Sequence, residues 1–268
     1  MRTRTRSWTV IAIAFIVVFL MPGKLWSWDR VGHRVLARIA EARLNPPALA
    51  AVHDLLGAGV SLADVAIWAD EQRNPRSSPW HYVNVPITKP RYDSKYCQFG
   101  GCVVSKIYDF ERVLLSPRAG KDQKQQALMF LIHLIGDLHQ PFHVGDTGSR
   151  GGNSIQVQFF DLGSNLHRVW DYQIIDHYTE NEEVWLFDCN LLASPKMIAE
   201  WSKGTPEDWA TESLQVAKEA YCLPGTKTVM PSGAKLGDEY YRAALPIIQR
   251  QLAKAGIRLA WMLNQIFL

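Results

Sequence analysis

The sequence predicts an all-α fold, a mainly helical single domain with a small β-hairpin. Apolar residues recur at helical spacing through most of the chain, and only the stretch 154–160 alternates as a strand does. No linker, internal repeat or low-complexity tract divides the sequence. We therefore expect one domain over residues 28–268, preceded by a leader at residues 1–27.

The leader has the pattern of a secretory signal peptide. Three arginines precede an apolar run from Trp8 to Met21, which is shorter than the roughly 20 residues that a membrane-spanning helix needs. We expect cleavage after Ser27. The alternative is an uncleaved anchor, because Leu25 is larger than the usual residue at that place. Cleavage would leave a secreted or periplasmic protein without a membrane anchor.

Most of the positive charge lies in this leader. The full chain has a formal charge of +3, and residues 1–27 hold four cations and no acid, so the predicted mature protein is close to neutral. Composition therefore does not indicate a surface that coats nucleic acid. Any attraction for phosphate must be local.

The helices are expected in a definite order along the mature chain. The first three are predicted at 31–43, at 47–56 and from a cap at Ser61 to about residue 73. An irregular excursion at 74–101 follows, with one short extended piece, HYVNV at 81–85. Further helices are predicted at 103–115 and 122–138, and a Gly-rich loop at 145–152 precedes the strand at 154–160. The last helices are predicted at 166–176, 182–201, 206–221 and 238–267, with Pro246 marking a kink or the true start of the last one.

The four cysteines indicate disulfides, since the protein is predicted to be exported. Four cysteines allow three pairings. We expect Cys97 to pair with Cys102, and Cys189 with Cys222. No CxxC pair is present, so metal ligation by thiolates is not expected.

The stretch 131–143, LIHLIGDLHQPFH, is the centre of the functional prediction. His133 and Asp137 are four residues apart and share one helix face, so they can address one metal ion. Pro141 should end the helix, and His143 would approach from the following loop. The alternative is a core helix whose histidines are satisfied by hydrogen bonds. His139 is expected to pack at the helix end, and His53 and His177 to be structural or exposed.

Other imidazoles and carboxylates extend the candidate ligand set. His167 and Asp171 repeat the spacing of four residues. The full set of candidates is His33, Asp70, His81, His133, Asp137, His143, His167 and Asp171. These are too many for one tetrahedral ion, so two or three ions with a bridging carboxylate are indicated. Imidazole and carboxylate without Cys favour a catalytic zinc site over a structural one.

Six motifs in this order resemble those of the type I nucleases. They are WDRVGH at 28–33, WADEQR at 68–73, HYVNV at 81–85, HLIGDLHQPFH at 133–143, GGN at 151–153 and NLHRVWD at 165–171. These enzymes are zinc-dependent, single-strand-preferring nucleases of fungi, plants and bacteria, and their structural relatives are the bacterial zinc phospholipases C. Beyond Asp171 the resemblance rests on helical character alone.

The resemblance implies a trinuclear zinc cluster in a cleft. One Zn²⁺ would be held by the α-amine and carbonyl of Trp28 with His33 and Asp137. Its close partner would be held by Asp70, His81, His133 and Asp137, with Asp137 bridging the two. The third would be held by His143, His167 and Asp171. Three zinc ions would exceed the charge of the three aspartates and create a local positive site.

The resemblance also implies substrate contacts. Arg73 would support the non-bridging oxygens of the phosphate, beside the catalytic ligand Asp70. Tyr82 lies where the family usually carries a ring that stacks a nucleobase. Asn84 stands where fungal members have an Asp that binds the base, so base preference stays open. Asn153 either orients substrate or serves as an ordinary turn residue.

The activity implied is that of a secreted phosphodiesterase. It would hydrolyse single-stranded RNA and DNA endonucleolytically to 5′-phosphorylated products and act as a 3′-nucleotidase, with no stable protein partner. One alternative is a zinc-dependent phospholipase C. It is disfavoured because Asp171 stands where the phospholipases usually carry Glu and because GGN is a nuclease feature. The second alternative is an exported zinc-sequestering protein, although sequestration would not require Arg73.

Overall fold

Two long helices organise the chain, α5 (Lys121–His139) and α11 (Asp238–Ile266), and both are buried over much of their length. The structure is a computed structural model and describes Trp28, residues 30–98 and residues 100–268. The predicted leader therefore lies outside the described residues. The mainly helical single domain with a small hairpin is confirmed.

The remaining elements surround these two helices. The other helices are α1 (Arg30–Glu41), α2 (Pro46–Leu56), α3 (Trp68–Glu71), α4 (Val103–Leu115), α6 (Leu166–Arg168), α7 (Ile174–Tyr178), α8 (Glu182–Leu192), α9 (Pro195–Trp201) and α10 (Pro206–Ala220). The strands are β1 (Val85–Pro86), β2 (Gly145–Asp146), β3 (Gln156–Phe159), β4 (Leu162–Asn165) and β5 (Ala234–Leu236).

Helix α1 packs closely on α11, and both contact α5. Gly256 makes the close approach possible, because a Cβ there would lie 2.5 Å from Cγ2 of Ile39 and 2.7 Å from the carbonyl oxygen of Leu36. The apolar residues of α1 are buried in this contact, as their helical spacing predicts. The packing brings the start of the predicted mature chain against the middle of the fold.

The predicted helix from Ser61 to about residue 73 is wrong as a single element. The cap at Ser61 forms with Asp64, but a 3₁₀ turn at Leu62–Val65 and the short α3 replace a continuous helix. The carbonyl of Ala66 accepts a hydrogen bond from Nδ1 of His133 at 2.8 Å, whereas the N–H of Asp70 donates to Ile67. The break thus frees a backbone acceptor for a histidine of α5.

The predicted helix at 182–201 is also wrong as one element, because it is divided into α8 and α9. Ser194 caps α9 by accepting from the N–H of Met197, and Pro195 occupies the first turn, where its missing N–H is harmless. Pro246 lies inside α11, so the alternative that the last helix begins there is wrong. The predicted helix at 166–176 is present as α6, a π turn at Val169–Gln173, and α7.

The hairpin predicted around 154–160 is formed by β3 and β4, with Val157 opposite Ser164. Strand β5 pairs in parallel with β3 and was not predicted, because three residues are too few to establish an alternating pattern. Only part of the extended piece at 81–85 is a strand. β1 pairs in parallel with β2, and the N–H of Val83 donates to the carbonyl of His143 at 2.7 Å. The piece is therefore fixed to the segment after α5.

One predicted disulfide is confirmed and the other is wrong. Cys97 and Cys102 are bonded, next to the N-terminus of α4. Cys189 and Cys222 are free thiols. Cys189 is buried in α8 with Sγ 3.5 Å from the carbonyl of Gln249, whereas Cys222 follows α10 and faces Lys218 one turn back. The two thiols therefore face different partners, Cys189 towards α11 and Cys222 towards the last turn of α10.

Candidate metal centre

Helix α5 places His133 and Asp137 on one buried face, and three other elements bring side chains to it. Oδ1 of Asp137 lies 3.4 Å from Nε2 of His133 and 3.4 Å from Nε2 of His33 on α1. Oδ2 of Asp137 lies 2.9 Å from Nδ1 of His81, which ends the 3₁₀ turn Ser78–His81. Oδ1 of Asp70, on α3, lies 3.5 Å from His81 and 3.6 Å from His133.

These side chains form two adjoining groups of potential metal ligands. One consists of His33, His133 and Asp137, and the other of Asp70, His81 and His133. His133 belongs to both groups, and its ring stacks on that of His33 with the centroids 4.0 Å apart. Asp137 contacts His33 and His81 from one carboxylate. Its position is therefore suited to a bridging ligand.

A third group lies at the end of α5. It consists of His143 from the turn after α5, His167 from α6 and Asp171 from the π turn. Nε2 of His167 is 3.1 Å from Oδ2 of Asp171, and the rings of His143 and His167 have centroids 5.0 Å apart. Single π turns within helices are frequent at functional sites.

Backbone carbonyls orient three of the histidine rings. Nδ1 of His133 donates to the carbonyl of Ala66 at 2.8 Å. Nδ1 of His143 donates to the carbonyl of His81 at 2.7 Å, and Nδ1 of His167 donates to that of Gly151 at 2.5 Å. A ring that donates from Nδ1 keeps the lone pair on Nε2 for a metal ion. The carbonyls thus fix the tautomer that metal binding needs.

Two glycines permit the close packing around these rings. A Cβ on Gly136 would lie 2.7 Å from Cε1 of His33, and a Cβ on Gly151 would lie 2.6 Å from the carbonyl oxygen of Phe142. Gly151 also has a φ of +64°, which L side chains rarely adopt. The GGN motif therefore supports His167 through its backbone.

The polar atoms that lack hydrogen bonds are concentrated in these groups. Among the described residues nine buried side-chain nitrogen and oxygen atoms have no hydrogen-bond partner, and eight of them belong to the candidate ligands. They are both ring nitrogens of His33, both carboxylate oxygens of Asp70, Nε2 of His81, His133 and His143, and Oδ1 of Asp137. Buried polar groups are normally satisfied, so this pattern fits donor atoms for metal ions.

The charges around the groups also favour bound cations. Burial alone would raise the pKa of Asp137, but the neighbouring His133, His33 and His81 hold it well below its ordinary value. Burial opposes protonation of His133, yet the carboxylates of Asp137 and Asp70 raise its pKa to about 9. Burial lowers the pKa of His143 to about 4, so its ring is neutral. Buried carboxylates and imidazoles are a donor set that divalent metal ions bind, and an ion bound at His133 would replace the proton that its ring otherwise carries.

A cleft of about 260 Å³ opens beside the third group, and four residues predicted from the sequence line it: Arg73, Tyr82, Asn84 and Asn153. Nη1 of Arg73 is 3.6 Å from Oδ1 of Asp70, which joins the cleft to the metal ligands. Nδ2 of Asn153 donates to the carbonyl of Arg150 at 2.8 Å, so its side chain also takes part in the turn. The disulfide loop adjoins Tyr82, whose carbonyl accepts from the N–H of Val103.

Trp28 is buried beside these groups. Its indole Nε1 donates to the carbonyl of Gly136 at 2.9 Å, one residue before Asp137. The first residue of the predicted mature chain is thus held against the same stretch of α5 as the candidate ligands.

His139 lies outside the three groups, as predicted. Its Nδ1 donates to the carbonyl of Ile135 at 2.7 Å, and its Nε2 is 2.9 Å from Nη1 of Arg258. His177 and His53 are exposed, in agreement with the prediction, and His177 stacks on Phe160.

Sequence reasoning missed two residues that support or line the site. The buried Gln140 donates from Nε2 to Oδ1 of Asp171 and accepts from the N–H of Phe142. The sequence feature that could have indicated Gln140 is its place as a polar residue between the end of a helix and Pro141, in an otherwise apolar stretch. Arg150 lines the cleft with a φ of +59° and had no signal beyond the Gly-rich loop around it.

Several known nucleases are similar in sequence to this chain. Endonuclease 4 of Arabidopsis thaliana is 33% identical over 302 residues, which cover 100% of this chain and 97% of that protein. Nuclease P1 of Penicillium citrinum is 31% identical over 89% of this chain and 97% of its own length. Nuclease S1 of Aspergillus oryzae is 27% identical over 90% of this chain and 92% of its own length. The sequence model of the S1/P1 nuclease family matches residues 28–268, and the chain belongs to that family.

Proposed function

We propose that the protein is a zinc-dependent nuclease that cuts single-stranded RNA and DNA endonucleolytically and leaves 5′-phosphorylated products. We also propose that it removes the phosphate of 3′-nucleotides. The observation that carries the proposal is a cleft that borders the third group of metal-binding side chains, through His143 and His167, and is also lined by Arg73 and by base-binding candidates. Arg73 in turn contacts Asp70 of the adjoining group. Membership of the S1/P1 nuclease family supports it.

Three zinc ions are the proposed cofactors. The first ion would be held by Trp28, His33 and Asp137. The second would be held by Asp70, His81, His133 and Asp137, and the third by His143, His167 and Asp171. Support comes from the imidazole and carboxylate donors and from their unsatisfied buried atoms. Zinc in such a site activates water at neutral pH and neutralises charge on a phosphate group.

The chain's own residues would position the substrate. Arg73 would bind the non-bridging phosphate oxygens, since its guanidinium lines the cleft next to the ligand Asp70. Tyr82 would stack a nucleobase in the same cleft, and stacking tolerates any base. The amide groups of Asn84 and Asn153 would donate to or accept from the base or sugar, with Nδ2 of Asn153 shared with the turn.

Export is also proposed. The predicted leader would be removed after Ser27, and the mature enzyme would act outside the cell or in the periplasm on nucleic acid and 3′-nucleotides, without a stable protein partner. In the part of the chain that the structure describes, no helix is long and apolar enough to cross a bilayer.

One experiment separates the nuclease from the two alternatives. The mature protein, purified with zinc, is tested on a single-stranded oligonucleotide, on 3′-AMP and on phosphatidylcholine. Hydrolysis of the oligonucleotide and of 3′-AMP is expected. Hydrolysis of the lipid alone would establish a phospholipase C instead, and no turnover at full zinc occupancy would establish a zinc-sequestering protein.

A further inference from the structure

A second concave surface lies next to the cleft. It is a groove of about 740 Å³ between α4 and α5, and the rings of Trp80, Phe110 and Phe130 line it. All three rings are partly exposed. None of them belongs to the metal-binding groups or to the cleft. We name this surface the aromatic groove.

The aromatic groove and the cleft border the same short turn, Ser78–His81. Ser78 lines the cleft and Trp80 lines the groove, whereas His81 is a candidate ligand. Since consecutive Cα atoms are about 3.8 Å apart, the Cα atoms of Ser78 and Trp80 are separated by at most about 7.6 Å. The cleft and the groove are therefore neighbouring surfaces at this turn.

The rings form an ordered aromatic surface. Phe110 and Phe130 are stacked with the centroids 4.6 Å apart and the planes 1° from parallel, and Trp80 meets Phe130 edge-on at 5.5 Å. Such rings bind flat apolar groups by stacking and by edge contacts. Nucleobases stack on exposed aromatic side chains in many proteins that bind single strands.

The charges at the rim of the groove are mainly positive. Arg112 and Arg118 line the groove, and Nζ of Lys106 lies 4.8 Å from the centre of the Trp80 ring. Asp109 is the one carboxylate in the lining and pairs with Lys106 and Arg112. Arg118 is exposed, and no carboxylate of the described residues lies within ion-pairing distance of it. Two arginines against one carboxylate in the lining, with Lys106 beside the Trp80 ring, leave a positive surplus that complements a phosphate backbone.

We propose that the aromatic groove is a second subsite for single-stranded nucleic acid, where a base stacks on the rings and a phosphate contacts Arg112 or Arg118, away from the scissile bond. The proposal rests on the nuclease function proposed above and adds a prediction to it. Strands long enough to reach the groove should bind more tightly than dinucleotides, which fill only the cleft.

The test uses the zinc-loaded mature protein and two variants of the groove. Arg112→Gln combined with Arg118→Gln removes two exposed cations, and Phe110→Leu removes an aromatic face while keeping an apolar side chain. The matched control is Lys196→Gln combined with Lys227→Gln, which removes two exposed cations elsewhere. Thermal melting of each variant verifies that it is folded.

The measurement is the binding of a labelled single-stranded phosphorothioate oligonucleotide, about 12 nucleotides long, at several salt concentrations. Fluorescence anisotropy should give a Kd about tenfold higher in both groove variants than in the control. For the double Arg variant the plot of log affinity against log salt should be shallower by about 0.7, the value for the one phosphate that this pair of arginines neutralises in the wild type. The kcat/KM ratio of oligonucleotide to dinucleotide should fall in parallel.

The outcomes separate this proposal from the one it rests on. If the wild-type enzyme cleaves the unmodified oligonucleotide, but both groove variants match the control in Kd and salt slope, the groove proposal alone is overturned. That result would show that the groove does not bind single strands and would point to another kind of partner, such as a protein. If the wild-type enzyme neither binds nor cleaves any single strand, both proposals fail.

Discussion

Asp137 is the residue on which the candidate metal centre depends most. Its two carboxylate oxygens lie close to His33, His81 and His133, which come from three different elements. It is fully buried, and the surrounding histidines keep it ionised. A buried carboxylate with neighbours on both sides can bridge two metal ions, whereas each histidine can serve one ion.

We expect Asp137→Asn to remove two of the three proposed zinc ions together, because both would lose their shared ligand. The comparison is His139→Ala, two residues away on the same helix. His139 contacts Ile135 and Arg258, so its removal should lower the melting temperature through a cavity but leave zinc occupancy nearly intact. Zinc per protein is measured by mass spectrometry after dialysis, and equal zinc loss in the two variants would contradict the assignment.

Among the elements, the end of α5 is held by neighbouring helices. The last carbonyls of a helix have no partner within it. Here the indole of Trp28 donates to Gly136, the hydroxyl of Ser213 donates to Leu138 at 2.6 Å, and the amide of Gln251 donates to His139 at 2.9 Å. Helices α10 and α11 therefore fix the turn of α5 that carries Asp137.

An ion pair between α10 and α11 joins the two helices that hold the C-terminal end of α5. Arg258 is buried, contacts His139, and donates from Nη2 to both carboxylate oxygens of Glu212 at 2.8 Å. Lys254 also pairs with Glu212 at 2.9 Å. Burial alone would raise the pKa of Glu212, but the charges of Arg258 and Lys254 bring it below its ordinary value of 4.5.

This depressed pKa predicts a pH dependence of stability. The folded-state pKa of Glu212 lies below 4.5, so ionised Glu212 stabilises the fold above that pH, and its contribution is lost as the pH falls through the folded-state value. Glu212→Gln should therefore melt at a lower temperature than the wild type at neutral pH, and the difference should shrink in acid. Melting of both metal-free proteins is followed from neutral pH downward, and a difference independent of pH would contradict the prediction.

In the molecule as a whole, residues from across the chain meet at one centre. α1 supplies His33, α3 and the following turn supply Asp70 and His81, and the segment after the hairpin supplies His167 and Asp171. The resulting cleft and the adjacent aromatic groove are local features of a protein whose predicted mature chain is close to neutral. Phosphate attraction therefore has to come from these sites.

Cleavage of the leader directly before Trp28 should determine whether the metal centre has its full set of ligands. If the α-amine of Trp28 is a ligand, one extra residue before Trp28 should remove it from the centre. We expect this extension to lower zinc stoichiometry from three to two and to reduce kcat/KM on a single-stranded oligonucleotide by about 10- to 100-fold. The control is a protein cleaved directly before Trp28, and equal activity of the two would show that the α-amine is not a ligand.

Local patterns in the sequence were enough to predict the helical class, the hairpin and eight candidate metal ligands. Trp28 and the division of the ligands among three ions came from the resemblance to the nuclease family. Helical spacing is local, so it showed that His133 and Asp137, and likewise His167 and Asp171, share faces. The predicted disulfide between Cys97 and Cys102 is confirmed, and it too is a local feature because the two cysteines are only five residues apart.

Which residues meet, and where helices break, depends on tertiary packing. The helix is interrupted near Ala66, and the carbonyl exposed there accepts from His133, which lies 67 residues away. Cys189 and Cys222 are free, because packing places Cys189 against α11 and Cys222 against the last turn of α10. β5, Gln140 and the support of α5 by Arg258 depend on the same kind of contact. Such contacts follow from the packing of elements far apart in the chain, and no local pattern records them.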